Sequence, residues 1–571
     1  TELGNYDVPN GAVIHSEEEH HDEDDHDEEE HHEDEHSEED LGYINNSDFA
    51  VDATKFGVSK VTDWGYIGFG IDNLESVYGI PFHGDEHGDE HGDEHGDEHG
   101  DEDGHDEHGE ERIFSTTDSE TFSIRGSYNV SGNLVNKIDF TFRDSDYSLT
   151  EAHAEEEHHD EDEHHDEDEH HDEEEHEEHA PTVFMNEAVE YGATFDISND
   201  SSTQKVVVNF VDEDNSIVGE EAFMNPANSK EFTIGYYLSK DLGIYDLDVG
   251  FRHDQIERSG SVTEEEHDDD HGDEHGDEHG EVDYYNIDDS TNSFAVTLGR
   301  SLTDNLGISL GYASVERLPS SIELFMNGPH MATGRFEVGD PNLNSETSNN
   351  FDITFNFDNG DFYAYASFYI TDVDNYIALI DEEDDHMDED EHHEDEDDHH
   401  EEEGEHHEDE HDDHGHGNLI HANYMQEDAE FDGYEIEIGR SFDLGSGELA
   451  LSFGRDVVNA EFADGHYIPR INPARNIYSL VYTQDDLLFK LMLKDVEKQN
   501  DIGEGETATD AYQMLNTRLT KTFNGMGEGE LKVSLFANNL LDEVARNHSS
   551  FVKNEVPLPG RNYGLKFNLT F

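Results

Sequence analysis

Long stretches of this chain alternate apolar and polar residues with period two, which restricts them to strands with two different faces. In the last segment Tyr563, Leu565, Phe567, Leu569 and Phe571 share one face, and Gly564, Lys566, Asn568 and Thr570 the other. Phe351, Ile353, Phe355 and Phe357 alternate with Asp352, Thr354 and Asn356 in the same way. The pattern predicts about nineteen strands, from 49–60 and 64–76 at one end to 528–541 and 561–571 at the other. Many run past ten residues, beyond the globular mode of about five or six. Short turns such as Asp358-Asn359-Gly360 and Asn524-Gly525 alternate with long polar connections. Long two-faced strands, with short turns opposite long loops, describe an all-β, antiparallel transmembrane barrel. A soluble β-sandwich or solenoid is the alternative that the same alternation allows. No 18-residue apolar stretch is present, so no transmembrane helix is expected.

Five segments break the pattern: 15–40, 83–110, 151–179, 264–283 and 381–416. They hold 37 of the 42 histidines and none of the 28 Lys and Arg residues. Almost everything else in them is Asp, Glu or Gly. Such segments bury nothing apolar and repel themselves, so disorder is expected without metal. Imidazole and carboxylate are ligands for borderline divalent metals such as zinc; thiolate sites are excluded, because Cys is zero. Candidate ligands are His83, His87, His91, His95 and His99 in the GDEH repeats, and the pairs His158-His159, His164-His165, His392-His393 and His399-His400. Many combinations satisfy one ion, so several weak, exchanging sites are expected. A solvated acidic fringe is the bland alternative, and the histidine density argues against it. The four internal runs fall between predicted strands two and three, four and five, eight and nine, and twelve and thirteen. With 15–40 ahead of the first strand, all five lie at one end of an up-and-down barrel. The net charge of −121 excludes nucleic-acid binding, which needs basic patches. No HExxH, GxxxxGK[ST] or other catalytic constellation rises above background, so no enzyme activity is expected.

The stretches Glu316-Arg317-Leu318-Pro319-Ser320-Ser321-Ile322-Glu323-Leu324-Phe325, Gly328-Pro329-His330-Met331-Ala332-Thr333 and Phe336-Glu337-Val338-Gly339-Asp340-Pro341-Asn342-Leu343 resemble the barrel of TonB-dependent receptors. So do Tyr78-Gly79-Ile80-Pro81, Arg470-Ile471-Asn472-Pro473-Ala474-Arg475, Asn538-Asn539-Leu540-Leu541-Asp542 and Pro559-Gly560-Arg561. Within that superfamily the chain is most similar to the zinc-uptake group often called ZnuD. The resemblance implies an outer-membrane barrel of 22 strands around an N-terminal plug. It implies coupling through a TonB box to TonB, ExbB and ExbD. Plug, TonB box and about three strands are not found in residues 1–571, so a partial barrel with open edges is expected. The resemblance also gives His330, and more weakly Glu323, a role in a discrete zinc site near the plug. The alternative is a lumenal Glu316–Arg317 ion pair beside an ordinary loop histidine. His253 is expected at the lumen or rim, His548 in structural packing, and His421 and His466 in long loops, where either is a candidate loop ligand.

Three functions follow as expectations. The first is zinc uptake, with the runs capturing the ion. The second is another cargo: a siderophore, haem, copper, nickel or cobalt. The third is a metal-buffering surface barrel that transports nothing.

Overall fold

The computed structural model describes residues 2–9, 12, 42–81, 112–130, 132, 134–154, 181–219, 222–263, 282–382, 419–526 and 529–570. Nearly all of the five runs, and with them all thirteen loop histidines named above, lie outside these residues.

Nineteen long strands form the wall. The first ten are β2 (Phe49–Thr62), β3 (Gly65–Gly79), β4 (Arg112–Asn129), β5 (Lys137–Ala154), β6 (Thr182–Asp196), β7 (Thr203–Val218), β8 (Ala227–Asp241), β9 (Asp246–Thr263), β10 (Val282–Ser301) and β11 (Leu306–Arg317). The other nine are β14 (Glu346–Asp358), β15 (Phe362–Asp381), β16 (Ile420–Asp443), β17 (Glu448–Phe462), β18 (Arg475–Gln484), β19 (Leu487–Val496), β20 (Tyr512–Met526), β21 (Gly529–Asn538) and β22 (Asn562–Thr570). Each pairs antiparallel with the next. Every predicted strand is present. Three short strands are additional: β1 (Glu2–Leu3), β12 (Asn327–His330) and β13 (Arg335–Val338). Among the described residues one α-helix, α1 (Ser321–Phe325), precedes β12, and one 3-10 turn, Met331–Thr333, follows it.

Register decides which way each residue points. Tyr191, Phe210 and Phe232 stand opposite one another on β6, β7 and β8. Phe142 on β5 joins Tyr191 in the same row. Their rings touch in sequence around the wall, Phe142 to Tyr191 at 5.1 Å and Tyr191 to Phe210 at 6.4 Å. This is the outward apolar band, and burial against lipid tails removes it from water. The alternate residues are polar: Glu190, Asn209, Thr233 and Arg252 line an inner cavity. His253 belongs to the outward set, opposite Ile234 and Asn292. The lumenal half of the lumen-or-rim expectation is therefore corrected, because the neighbouring Arg252 takes the inward position.

Many wall strands exceed the nine to eleven residues that a tilted strand needs to cross a bilayer. β16, with 24 residues, is the longest. The excess lies at the end carrying the runs, and some run boundaries shift accordingly. Glu151 closes on Ser115 within β5, and Val282 and Asp283 begin β10. Asp381 ends β15 opposite Ala422.

The wall has two outer edges. β2 pairs on its outer side only at Phe49 and Ala50, with β1. Among the described residues no strand pairs with the outer side of β22. β2 and β22 both run from the loop-rich end toward the short turns.

Candidate functional site

The connection between β11 and β14 folds into the barrel mouth, and its local sequence explains the path. Ser320 caps α1: its hydroxyl accepts from the Glu323 backbone N–H, while the Glu323 carboxylate accepts from the Ser320 backbone N–H. This reciprocal capping box sets where the short helix begins. The Glu323 carboxylate is also held by Arg317, whose Nη1 and Nη2 donate at 2.9 and 3.1 Å. Arg317 makes a second two-point contact with Glu346, at 3.2 and 3.0 Å. The Glu316–Arg317 pair of the alternative reading is therefore replaced by Arg317 with Glu323 and Glu346. Glu316 turns instead to the Asn292 N–H and the Ser345 hydroxyl.

Beyond α1 the chain forms a hairpin, β12 against β13. His330 ends β12, and its partner comes from the second arm. His330 Nδ1 lies 2.9 Å from Glu337 Oε1, which also accepts from Thr333 Oγ1 at 2.8 Å. Glu337 is only 3 % exposed. A carboxylate only accepts, so Nδ1 is the donor in this contact. The His330 ring packs on Phe223 at 4.8 Å.

His330, Thr333, Glu337 and Tyr424 line a cavity of about 600 Å³ at the barrel mouth. Phe184, Ile217, Phe223, Met224, Ile322 and Met326 form its apolar part. The Arg258 guanidinium borders it but is held by the Pro319 carbonyl, Ser229 and Glu231.

A second charged cluster joins the remaining loops. Arg335 and Asp381, 7 % and 8 % exposed, form a two-point pair at 2.8 and 2.7 Å. Phe551 lies between the guanidinium groups of Arg335 and Arg470, at 4.5 and 4.4 Å. His548 is fully buried, with Nδ1 3.0 Å from Thr509 Oγ1 and Nε2 3.1 Å from Glu506 Oε1. Its structural environment agrees with the packing role expected for it. Lys553 Nζ reaches the same Glu506 oxygen at 2.7 Å. Burial alone raises the Glu506 pKa, but His548, Lys553 and the backbone N–H groups of Gly503 and Arg470 hold it at about 2.

The structure thus gives His330 the partner Glu337, while Glu323 is committed to α1 and Arg317. His421 stacks on Phe336 at 5.1 Å, and exposed His466 sits 2.8 Å from Asp464. Among the described residues no group of three or more His, Asp and Glu side chains is arranged to hold a metal ion. Glu337, Thr333 and Tyr424 were not singled out from sequence as site residues. Glu337 lies seven residues from His330, and only the hairpin fold brings them together.

Solved structures share this architecture. A copper transporter, OprC, has a TM-score of 0.63 at 12% identity, covering 91% of this chain and 72% of that one. The FrpB iron transporter from Neisseria meningitidis (F3-3 variant) has a TM-score of 0.60 at 11% identity, covering 100% and 75%. The Serratia marcescens hemophore receptor HasR, solved as a double mutant with its hemophore HasA and heme, has a TM-score of 0.58 at 11% identity, covering 92% and 72%. At these identities the likeness is one of fold. Among the described residues no helix is long and apolar enough to cross a membrane. A family model described as TonB dependent receptor-like, beta-barrel matches residues 40–540. The chain belongs to the TonB-dependent receptor β-barrel family of the outer membrane.

Proposed function

We propose that this barrel belongs to a receptor that imports a divalent metal, with zinc as the first candidate. The observation that supports it most is the His330–Glu337 pair at the cavity. A histidine whose Nδ1–H is fixed by a carboxylate presents Nε2 as a ready metal ligand, the usual arrangement behind a zinc-bound imidazole. In this reading Glu337 takes the place given to Glu323 by sequence. The remaining ligands come from the cargo's own shell or from a plug. The His-rich runs collect the ion, and a plug couples the barrel to TonB, ExbB and ExbD.

A second cargo class has its own support. The cavity is far larger than a bare ion needs, and Phe184, Phe223, Met224 and Ile322 make much of it apolar. That lining suits a metal enclosed in an organic chelate or haem. Uptake of radioactive zinc by cells with the full-length gene or its deletion tests the first reading. Zinc-limited growth should slow in the deletion strain. A defect seen only under iron limitation, with zinc uptake unchanged, would reject zinc in favour of the chelate reading.

A further inference from the structure

The β12–β13 hairpin crosses the barrel mouth without being part of its wall. On one side it is tied to the loop between β7 and β8. The Asn327 N–H donates to the Phe223 carbonyl at 2.7 Å, and Met326 bridges to Met224. On the other side β13 lies parallel to the start of β16, Arg335 opposite Ile420 through Val338 opposite Asn423. This is the one parallel ladder in a sheet otherwise antiparallel among the described residues, and it is four pairs long.

The wall does not depend on it. At that level β16 is already paired on its other side with β15, Ala422 opposite Asp381 and Asn423 opposite Ile380. The β16–β17 ladder begins lower, at Ala429 and Phe462. Withdrawing β13 leaves every wall ladder intact. What seats it is a compact set of side-chain contacts: Arg335 on Asp381, Arg335 over the Phe551 ring, and Phe336 on His421.

We infer that the β12–β13 hairpin is a movable gate over the lumen, and that the Arg335–Asp381 pair is its latch. Lifting β13 off β16 breaks a four-pair ladder, the Arg335–Asp381 ion pair and the ring contacts with Phe551 and His421, with the Asn327 and Met326 ties to the β7–β8 loop as the hinge, whereas neighbouring wall ladders run to twelve pairs or more. Local opening follows the weakest cooperative unit, and this hairpin is that unit at the mouth. The gate carries His330 and Glu337 with it, so opening exposes the cavity and moves its polar contacts together.

The test needs no cargo and therefore stands apart from the zinc reading. Ala422 is 0 % exposed beneath the hairpin, and the 571 residues contain no cysteine. In the full-length receptor on whole cells, Ala422→Cys should react slowly with a membrane-impermeant maleimide. Adding Asp381→Asn should speed labelling by about tenfold, the response to losing about 1.4 kcal/mol of latch. Hydrogen exchange of 327–338 should rise in Asp381→Asn while β14 and β15 stay protected. If Asp381→Asn does not fold, Phe551→Leu removes the ring beneath Arg335 without stranding a charge, and should give a smaller gain of the same kind. Unchanged labelling, or exchange rising equally through the wall, overturns the gate.

Discussion

Replacing Glu337 by Gln keeps its shape and removes its charge, which makes it a sharp probe of the cavity. Both contacts of this carboxylate converge on one oxygen, from Thr333 Oγ1 at 2.8 Å and His330 Nδ1 at 2.9 Å. The amide oxygen of Gln can still accept from both, so the fold should survive. What is lost is the negative charge that fixes the His330 tautomer and strengthens Nε2 as a donor. Loss of such a supporting carboxylate typically costs about 10–100-fold in metal affinity, or roughly 1.4–2.7 kcal/mol. Glu337→Gln should therefore weaken zinc binding about tenfold, and His330→Asn should abolish it at this site. The assay is calorimetric titration of the full-length receptor, with the five runs shortened to short Gly-Ser linkers so that their weak sites do not mask it. Equal affinity in native protein, Glu337→Gln and His330→Asn would refute the assignment of His330 as a ligand.

The Glu506 cluster predicts a pH response of defined sign. Its folded pKa, about 2, lies below its ordinary value of 4.5. The stabilisation it gives is present above that ordinary value and is lost as pH falls toward 2, an effect on the order of 2–3 kcal/mol. Limited proteolysis at 497–511 and 539–561 should increase between pH 5 and pH 2, and Glu506→Gln should be cleaved readily even at pH 7. On the wall, Phe232→Arg should cost about 2–4 kcal/mol of folding in lipid if it lies near the midplane, whereas lumenal Asn209→Arg should cost little. Urea titration in vesicles separates the two. Arg317→Gln leaves Glu323 and Glu346 facing each other without their cation. It should destabilise the β11–α1 junction by about 1–3 kcal/mol, the buried-pair cost reduced because Arg317 is 41% exposed. Thermal unfolding followed by gel mobility measures it.

The wall was legible because strand period and register are local properties: Phe351 to Phe357 names its own two faces. The contacts inside the mouth were not. β12, β13 and the parallel ladder to β16 are four residues each, too short for any period to appear, and Arg335 meets Asp381 across 46 residues. The resemblance suggested Glu323 beside His330, and the alternative reading paired Glu316 with Arg317. One signal pointed elsewhere, since Ser320-Ser321-Ile322-Glu323 has the spacing of a capping box and commits Glu323 to a helix start. His253 followed Arg252 into a polar grouping on paper, yet adjacent strand residues must face opposite ways, and the arginine took the lumen.

The common direction of β2 and β22 sets a rule of parity. An antiparallel cylinder closes only on an even number of staves, because each must oppose both neighbours. Nineteen is odd, so the first and last staves here can never zip together in the antiparallel sense, however the wall bends. An antiparallel seam would take an odd number of further strands, and the two-residue pairing of β1 with β2 shows the sense in which one of them would run. One or three would satisfy the rule, whereas two would leave a parallel seam in lipid.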